Sequence, residues 1–278
     1  MFRDSKSLEI SCYVIGAGAF GVFARWMQLQ LAYNEEQLPD KSAWNVIVVL
    51  LIIAAAAVFF NFVKKMRDEG KYLPESFFEA FKNEGKLYAF CRWFIGLVMI
   101  AGSILLLATC ELDKDAAFLR VLSVFGVLTG VAFTLMMTAA NKPHVVGKSS
   151  LAFLGFVPIL FFAVWLVTAY KQNSINPVEW DYLVEILAVC VSMCAFFRIA
   201  GYAYGTPNEY RTMAMCMLGA MTCIMNLPDG RYLGQQVMFI AAAMMMIMIN
   251  WVMVANLKQK EKKNIYSDVY EDEGFERI

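Results

Sequence analysis

The chain has 278 residues, of which 60% are hydrophobic and only 17% are charged, with a mean hydropathy of +0.54. Because soluble domains carry about 45–50% apolar residues, this composition excludes an ordinary soluble domain and indicates a polytopic membrane protein. The 24 basic residues equal the 24 acidic residues in number, so the distribution of the cations is more informative than the net charge.

Apolar stretches of about 20 residues, the length of a membrane helix, recur along the chain. There are eight: residues 11–33, 43–63, 88–109, 118–140, 150–170, 180–203, 210–227 and 234–256. The sequence therefore predicts an all-α bundle of eight transmembrane helices. Although Arg3 and Lys6 precede the first stretch as in a secretory signal, Arg25 and Gln28 interrupt it, so we expect the first helix to be retained.

The lysines and arginines between these stretches fall mainly on one side of the membrane. If successive connections alternate sides, 18 of the cations lie on the side of the N-terminus and five on the other. The positive-inside rule then places both termini in the cytoplasm. We expect the protein to lie in the plasma membrane. The predicted units are a first half (1–140), a second half (141–256) and a disordered cytoplasmic tail (257–278).

The longest connection, residues 64–86, begins with a basic cluster. Pro74 then precedes a short amphipathic helix that carries Phe77, Phe78 and Phe81 along one side. We expect this helix to lie on the membrane surface. The alternative is that this loop, or the tail that turns from basic to acidic, binds a cytoplasmic protein.

An internal repeat is indicated by aromatic landmarks. The segment Phe23–Trp26 recurs as Phe162–Trp165, and other landmarks follow at an offset of 136 to 139 residues. The pattern predicts a parallel repeat of four plus four helices about an axis along the membrane normal. Aromatic belts at the same depth of every helix are the alternative explanation.

Glycines mark the first span of each proposed half. Residues 16–21 read G-x-G-x-x-G, but they lie in an apolar helix and not in a βαβ unit, so helix packing is favoured over dinucleotide binding. Under the repeat, Gly16 corresponds to Gly155, which is followed by Pro158. A weakened helix at equal depth in two repeats is typical of a transporter's binding site, whereas a packing glycine and a proline kink are the simpler alternative.

Two ionisable residues lie at lipid depth, Arg25 in the first span and Glu185 in the sixth. A charge there is costly and normally faces a partner or a cavity. We therefore expect the two to neutralise each other, directly or through one bridging group, as a structural ion pair or as a solute or proton site. Gln28, one helical turn from Arg25, is a further ligand candidate.

Other chemistry has little support in the sequence. The methionine-rich seventh and eighth spans suggest copper(I) ligation or, more simply, flexible filling of gaps between helices. The single histidine, His144, lies in a loop with no nucleophile beside it. Seven cysteines without a CxxC pair predict neither disulfides nor a zinc site. We expect no cofactor, no metal, no nucleic acid and no catalytic site.

Tyr170–Val178, Glu185–Ala188, Ala200–Gly205 and Leu233–Gln236 resemble segments of a group of uncharacterised multi-span bacterial integral membrane proteins. The resemblance implies a membrane location and no particular activity.

Two functions remain open at this point. One is a small transporter-like protein, or another protein that handles ions or solutes, with a site between two pseudo-symmetric halves. The other is a non-catalytic sensor, scaffold or accessory subunit with a structural ion pair. A water-accessible cavity that reaches Glu185 favours the first, and a fully packed bundle with its charges on the rims favours the second.

Overall fold

The computed structural model describes residues 2–31, 43–110, 116–142, 147–173 and 179–259. Helices dominate these ranges. They are α1 (Phe2–Leu31), α2 (Ala43–Asp68), α3 (Phe77–Ala80), α4 (Lys86–Thr109), α5 (Ala116–Ala139), α6 (Lys148–Asn173), α7 (Glu179–Ala203), α8 (Glu209–Met225) and α9 (Leu233–Ala255). Two strands, β1 (Lys71–Tyr72) and β2 (Lys258–Gln259), pair antiparallel.

Seven helices in the described part of the chain are long and apolar enough to cross a membrane: α1, α2, α4, α5, α6, α7 and α9. The protein is therefore a multi-pass membrane protein built as a helical bundle. The eighth predicted span corresponds to α8, which has only 17 residues and a length of about 26 Å at 1.5 Å per residue. Of its residues, 12 are buried, so neighbouring helices enclose it.

Six helices form a closed ring. From α4 to α9 each helix packs on the next in the chain, and α9 packs back on α4. Beside this ring, α1 packs on α8 and α9, while α2 packs on α1 and α8. In the most apolar part of α9, 72% of the residues are buried, against 17% in α2. Hence α9 is a core helix and α2 presents most of its surface to lipid.

Aromatic side chains fill the interior of the ring. Trp165 of α6 is fully buried, and its ring centroid lies 4.2 Å from that of Phe239 of α9. Phe161, Phe162 and Phe196 pack around the same tryptophan or around each other. This aromatic layer closes the bundle between its two ends.

Helices approach each other most closely at glycines. A Cβ on Gly130 of α5 would lie 2.7 Å from the carbonyl oxygen of Gly96 of α4, and a Cβ on Gly18 of α1 would lie 2.9 Å from the Ile224 side chain of α8. Gly21 of α1 is similarly close to Met225. Close packing on α8, as expected, accounts for two glycines of the G-x-G-x-x-G segment.

Gly234 at the start of α9 gives the sharpest test of this packing. A Cβ there would lie 2.6 Å from the Cα of Leu106 in α4, a backbone atom that cannot rotate away. We expect Gly234→Ala to lower the free energy of unfolding by about 1–3 kcal/mol through overpacking, measured by mixed-detergent denaturation. Gly16→Ala is the matched control, because a Cβ at Gly16 meets nothing within 4 Å. Equal stability of the two variants would contradict the close contact.

The loop between α2 and α4 folds against the bundle. Phe77 and Phe81 are 4% and 0% exposed, and the Phe81 ring packs edge-on against Tyr202 of α7 at 5.2 Å. Asn256, which follows α9, donates to the carbonyl oxygens of Ala80 and Lys82 at 2.9 Å. The expectation that the phenylalanines lie on the membrane surface is wrong, because their rings find a protein partner at the end of α7.

The tail and the repeat also differ from expectation. Disorder was predicted from residue 257, but Lys258 and Gln259 form β2 on β1; the remainder of the tail lies outside the described residues, as does His144. The repeat requires α2 and α4 to pack as α7 and α8 do. However, α7 packs extensively on α8, and α2 packs on α1 and α8 instead. Helix packing therefore gives the repeat no support.

Candidate functional site

Arg25 of α1 is the first member of a buried polar chain. Its side chain is fully buried, and its Nε lies 2.7 Å from Oδ1 of Asp229. Its Nη2 donates to Oδ2 of the same carboxylate at 3.3 Å, and its Nη1 donates to Gln28 at 2.7 Å. Gln28 is three residues further along α1, so the two side chains share one face of the helix. Through its Nε2, Gln28 reaches Asn45 of α2 at 2.8 Å.

The turn between α8 and α9 supplies the next two charges. Residues 228–230 read Pro-Asp-Gly, a sequence that favours a tight turn. Nη2 of Arg231 donates to Oδ2 of Asp229 at 3.0 Å. The backbone carbonyl of Asp229 accepts a hydrogen bond from Gln236 at 3.1 Å, which ties the turn to the first residues of α9. Asp229 therefore bridges two arginines.

Glu185 of α7 is the fourth charge. Its side chain is fully buried, Oε2 is in ion-pair contact with Nη1 of Arg231, and Oε1 accepts a hydrogen bond from Nε1 of Trp165 at 3.0 Å. The tryptophan thus links the carboxylate to the aromatic layer beneath it. Within the described residues, the chain of contacts runs from Arg25 through Asp229 and Arg231 to Glu185.

This arrangement corrects the expected pair. The structure pairs Arg25 with Asp229 and pairs Glu185 with Arg231. Two residues stand between the predicted partners where the sequence predicted none or one. The physical reason for pairing is unchanged, since each intramembrane charge has found a counter-charge, but the counter-charges come from the α8–α9 turn.

The four charges sum to zero and link three parts of the bundle: α1, the α8–α9 turn and α7. A buried ion needs an opposite charge and further hydrogen bonds to offset its desolvation, and Gln28 and Trp165 provide such hydrogen bonds. Burial lowers the pKa of Arg231, but the carboxylates of Glu185 and Asp229 outweigh this effect, so the pKa lies above its usual value. Arg231 therefore stays charged in the folded protein.

A cavity of about 510 Å³ opens over this chain. It lies at the end of the bundle where α1 and α6 end and α9 begins, which we call the cavity end. Its lining residues come from three helices and the α8–α9 turn: Arg25, Leu29, Gln172, Asn173, Asp229, Gly230, Arg231, Tyr232 and Gln235. Glu185 is not among the lining residues. Arg231, which contacts Glu185, lies between that carboxylate and the cavity.

Two amides form one wall of the cavity. Nε2 of Gln235, on α9, lies 3.4 Å from Oε1 of Gln172, on α6. This separation is at the long limit of a hydrogen bond, so the two amides can part at little cost. Asn173, the last residue of α6, donates to the Ala169 carbonyl at 2.8 Å.

The remaining predicted site residues lie elsewhere. Gly16 faces outward and lines a mainly apolar groove between α1 and α2. Gly155 packs against Ala200 of α7, where a Cβ would lie 3.2 Å from the alanine Cβ. Pro158 is buried inside a continuous α6. None of the three lines the cavity or joins the ion-pair chain, so the structure does not bring them together with Arg25.

Several site residues were missed from the sequence: Asn45, Trp165, Gln172, Asp229, Arg231 and Gln235. Loop charges such as Asp229 and Arg231 are normally solvated, so their positions between two apolar spans gave no warning of burial. One signal was available: Asp229 and Arg231 lie in the shortest of the predicted connections on the side opposite the N-terminus, the side on which the first span ends after Arg25 and the sixth begins before Glu185.

The site presents charged and amide side chains that can form hydrogen bonds. In the described part of the chain, no group of three His, Cys, Asp or Glu side chains could hold a metal ion. Four methionines of α8 are buried in apolar clusters, Met213, Met217, Met221 and Met225, and the sulfur of Met246 of α9 lies close to Gly219 of α8. Comparison with protein-family models, with curated proteins and with solved structures finds no match to this chain.

Proposed function

We propose that this membrane protein is a small transporter-like protein that binds a polar solute in the cavity above Arg25, Asp229 and Arg231. The observation that carries this proposal is the position of the cavity. Its volume of about 510 Å³ is within the range of roughly 300–1,000 Å³ that is usual for small-molecule sites. It is also directly continuous with charges that lie at lipid depth, where ionisable residues commonly mark a solute or ion pathway.

A second observation near the turn concerns a buried amide. Asn226 ends α8 three residues before Asp229, and its side chain is 1% exposed. Neither Oδ1 nor Nδ2 of this amide has a hydrogen-bond partner among the described residues. Buried amides rarely remain unpartnered, and a buried water molecule beside the turn would satisfy this one, because Asn226 does not line the cavity itself.

The membrane arrangement belongs to the same proposal. We place the protein in the plasma membrane with eight spans, α8 included, and with both termini in the cytoplasm. The cation bias of the connections supports this orientation, which puts the cavity on the outer side. A reporter that is active only in the cytoplasm should be active when it is fused after Asn256. An inactive fusion would contradict the cytoplasmic position of the C-terminus.

Reswelling of proteoliposomes tests transport without a known substrate. Vesicles shrunk by an osmotic step in a single solute regain volume as that solute enters, and light scattering follows the volume. We expect the protein to accelerate reswelling for at least one sugar, polyol or amino acid. Gln235→Leu should abolish the acceleration, and Gln30→Leu, on the exposed face of α1, should retain it. Rates equal to those of protein-free vesicles for every solute would rule out transport of these solutes.

The second candidate function is a non-catalytic sensor, scaffold or accessory subunit. It is favoured by the aromatic layer around Trp165, which fills the bundle beneath Glu185. It is also favoured by the docked loop, where β1, α3 and β2 form a folded surface at the end opposite the cavity. A solute that binds in the cavity without crossing the membrane would distinguish this function from transport.

A further inference from the structure

We infer that the cavity selects solutes that carry no net charge and offer both hydrogen-bond donors and acceptors. This inference rests on the proposed function and names the class of solute for the same site. It follows from two features of the cavity: the charged side chains of its floor form ion pairs with each other, and its wall carries neutral amides.

The charged groups of the floor have little capacity for a charged ligand. Both oxygens of Asp229 are engaged, Oδ1 by Arg25 and Oδ2 by Arg25 and Arg231. The three guanidinium nitrogens of Arg25 all donate to Asp229 or Gln28. An anion could reach Arg25 only by displacing Asp229, which would strand a buried carboxylate. Nε of Arg231 is buried and has no hydrogen-bond partner among the described residues, and a neutral acceptor on a solute is sufficient to satisfy it. A cation could reach the Asp229 carboxylate only by displacing an arginine from it.

The cavity wall offers neutral hydrogen-bonding groups instead. Gln172 and Gln235 each present an amide, and their mutual contact of 3.4 Å is easily exchanged for contacts to a solute. Gln235 is only 1% exposed, so a ligand group that contacts it is shielded from bulk water. Hydrogen bonds discriminate strongly between ligands in such a shielded place. A site built to hydrogen-bond a solute rejects analogues that leave its buried polar groups unpaired.

Glutamine and glutamate provide a direct test, because they have nearly equal shape and differ in net charge. Binding to the purified protein in detergent is measured by calorimetry, alongside lysine, dicarboxylic acids, polyamines and neutral sugars and polyols. We expect at least one uncharged or zwitterionic solute to bind. We expect the affinity for charged solutes of similar size to be lower by a factor of about ten or more. Gln235→Leu should remove the binding, and Gln30→Leu should leave it unchanged.

A charge-switch variant adds a second arm. Asp229→Asn keeps the size of the side chain but gives the floor a net positive charge, so its preference should move from glutamine towards glutamate. Stronger binding of net anions or net cations to the wild-type protein would overturn this inference and leave the proposed solute site standing. Absence of binding by every member of the panel would overturn the proposed function as well.

Discussion

Asp229→Ala is expected to be among the most destabilising single substitutions in the polar chain. It removes the carboxylate that lies between two arginines, and it takes this ion-pair partner away from Arg25, which is fully buried and cannot lose its proton. Breaking a buried ion pair in this way typically costs about 3–5 kcal/mol. Unfolding in mixed detergents measures this loss.

The neighbouring substitutions set the scale. Arg25→Ala should cost less, because Asp229 keeps Arg231 as a partner and a carboxyl group can also take a proton. The double variant Arg25→Ala with Asp229→Ala should be more stable than Asp229→Ala alone, since the guanidinium that loses its ion-pair partner is then removed as well. Asp68→Ala is the control, because Asp68 pairs with Arg67 on the exposed surface and such pairs contribute little. Additive effects of the two single changes would show that the pair is not coupled.

Trp165→Ala is expected to destabilise the bundle by about 3–5 kcal/mol, the usual cost of removing a fully buried aromatic side chain. Trp165 packs on Phe161 and Phe239 and also donates its Nε1–H to Glu185. Trp165→Phe separates these contributions. It retains most of the packing but leaves Oε1 of Glu185 without this donor, for which we expect about 1.5–3 kcal/mol.

The matched control for Trp165 is Trp93 of α4, which is 57% exposed. Trp93→Ala should change the free energy of unfolding little, because much of the Trp93 side chain faces away from the protein and makes few contacts that the substitution could remove. If Trp165→Phe were as stable as the wild-type protein, the hydrogen bond to Glu185 would contribute nothing. The link between the ion-pair chain and the aromatic layer would then be lost.

The long helices were predictable because an apolar run of membrane-spanning length is a strong and simple signal. Seven of them have the length and hydropathy of a span, and from α2 onward each long helix begins within two residues of its predicted start. Helix α8 departs from the pattern, since a helix enclosed by protein needs neither full length nor high hydropathy. The docking of Phe77 and Phe81 was missed because lipid and protein interior are equally apolar partners for a phenylalanine.

The candidate site was only half predictable for a related reason. Arg25 and Glu185 stand out because each places an ionisable group in an apolar span, which demands a partner. The identity of the partner depends on which loop folds over which helix end, and that is decided by tertiary packing. Asp229 and Arg231 could therefore be recognised only after the turn between α8 and α9 was placed over α1 and α7.

We propose that the solute cavity is open to solvent, ends at the ion-pair chain and does not continue into the aromatic layer. Labelling of introduced thiols can distinguish these two regions. Leu29→Cys, in the cavity lining, and Phe162→Cys, in the aromatic layer, are each introduced into a protein that lacks the exposed Cys12 and Cys194. A charged maleimide should modify residue 29 rapidly, the best-binding solute should slow that reaction, and residue 162 should stay unmodified. An unreactive residue 29, or equal labelling at both positions, would contradict the claim.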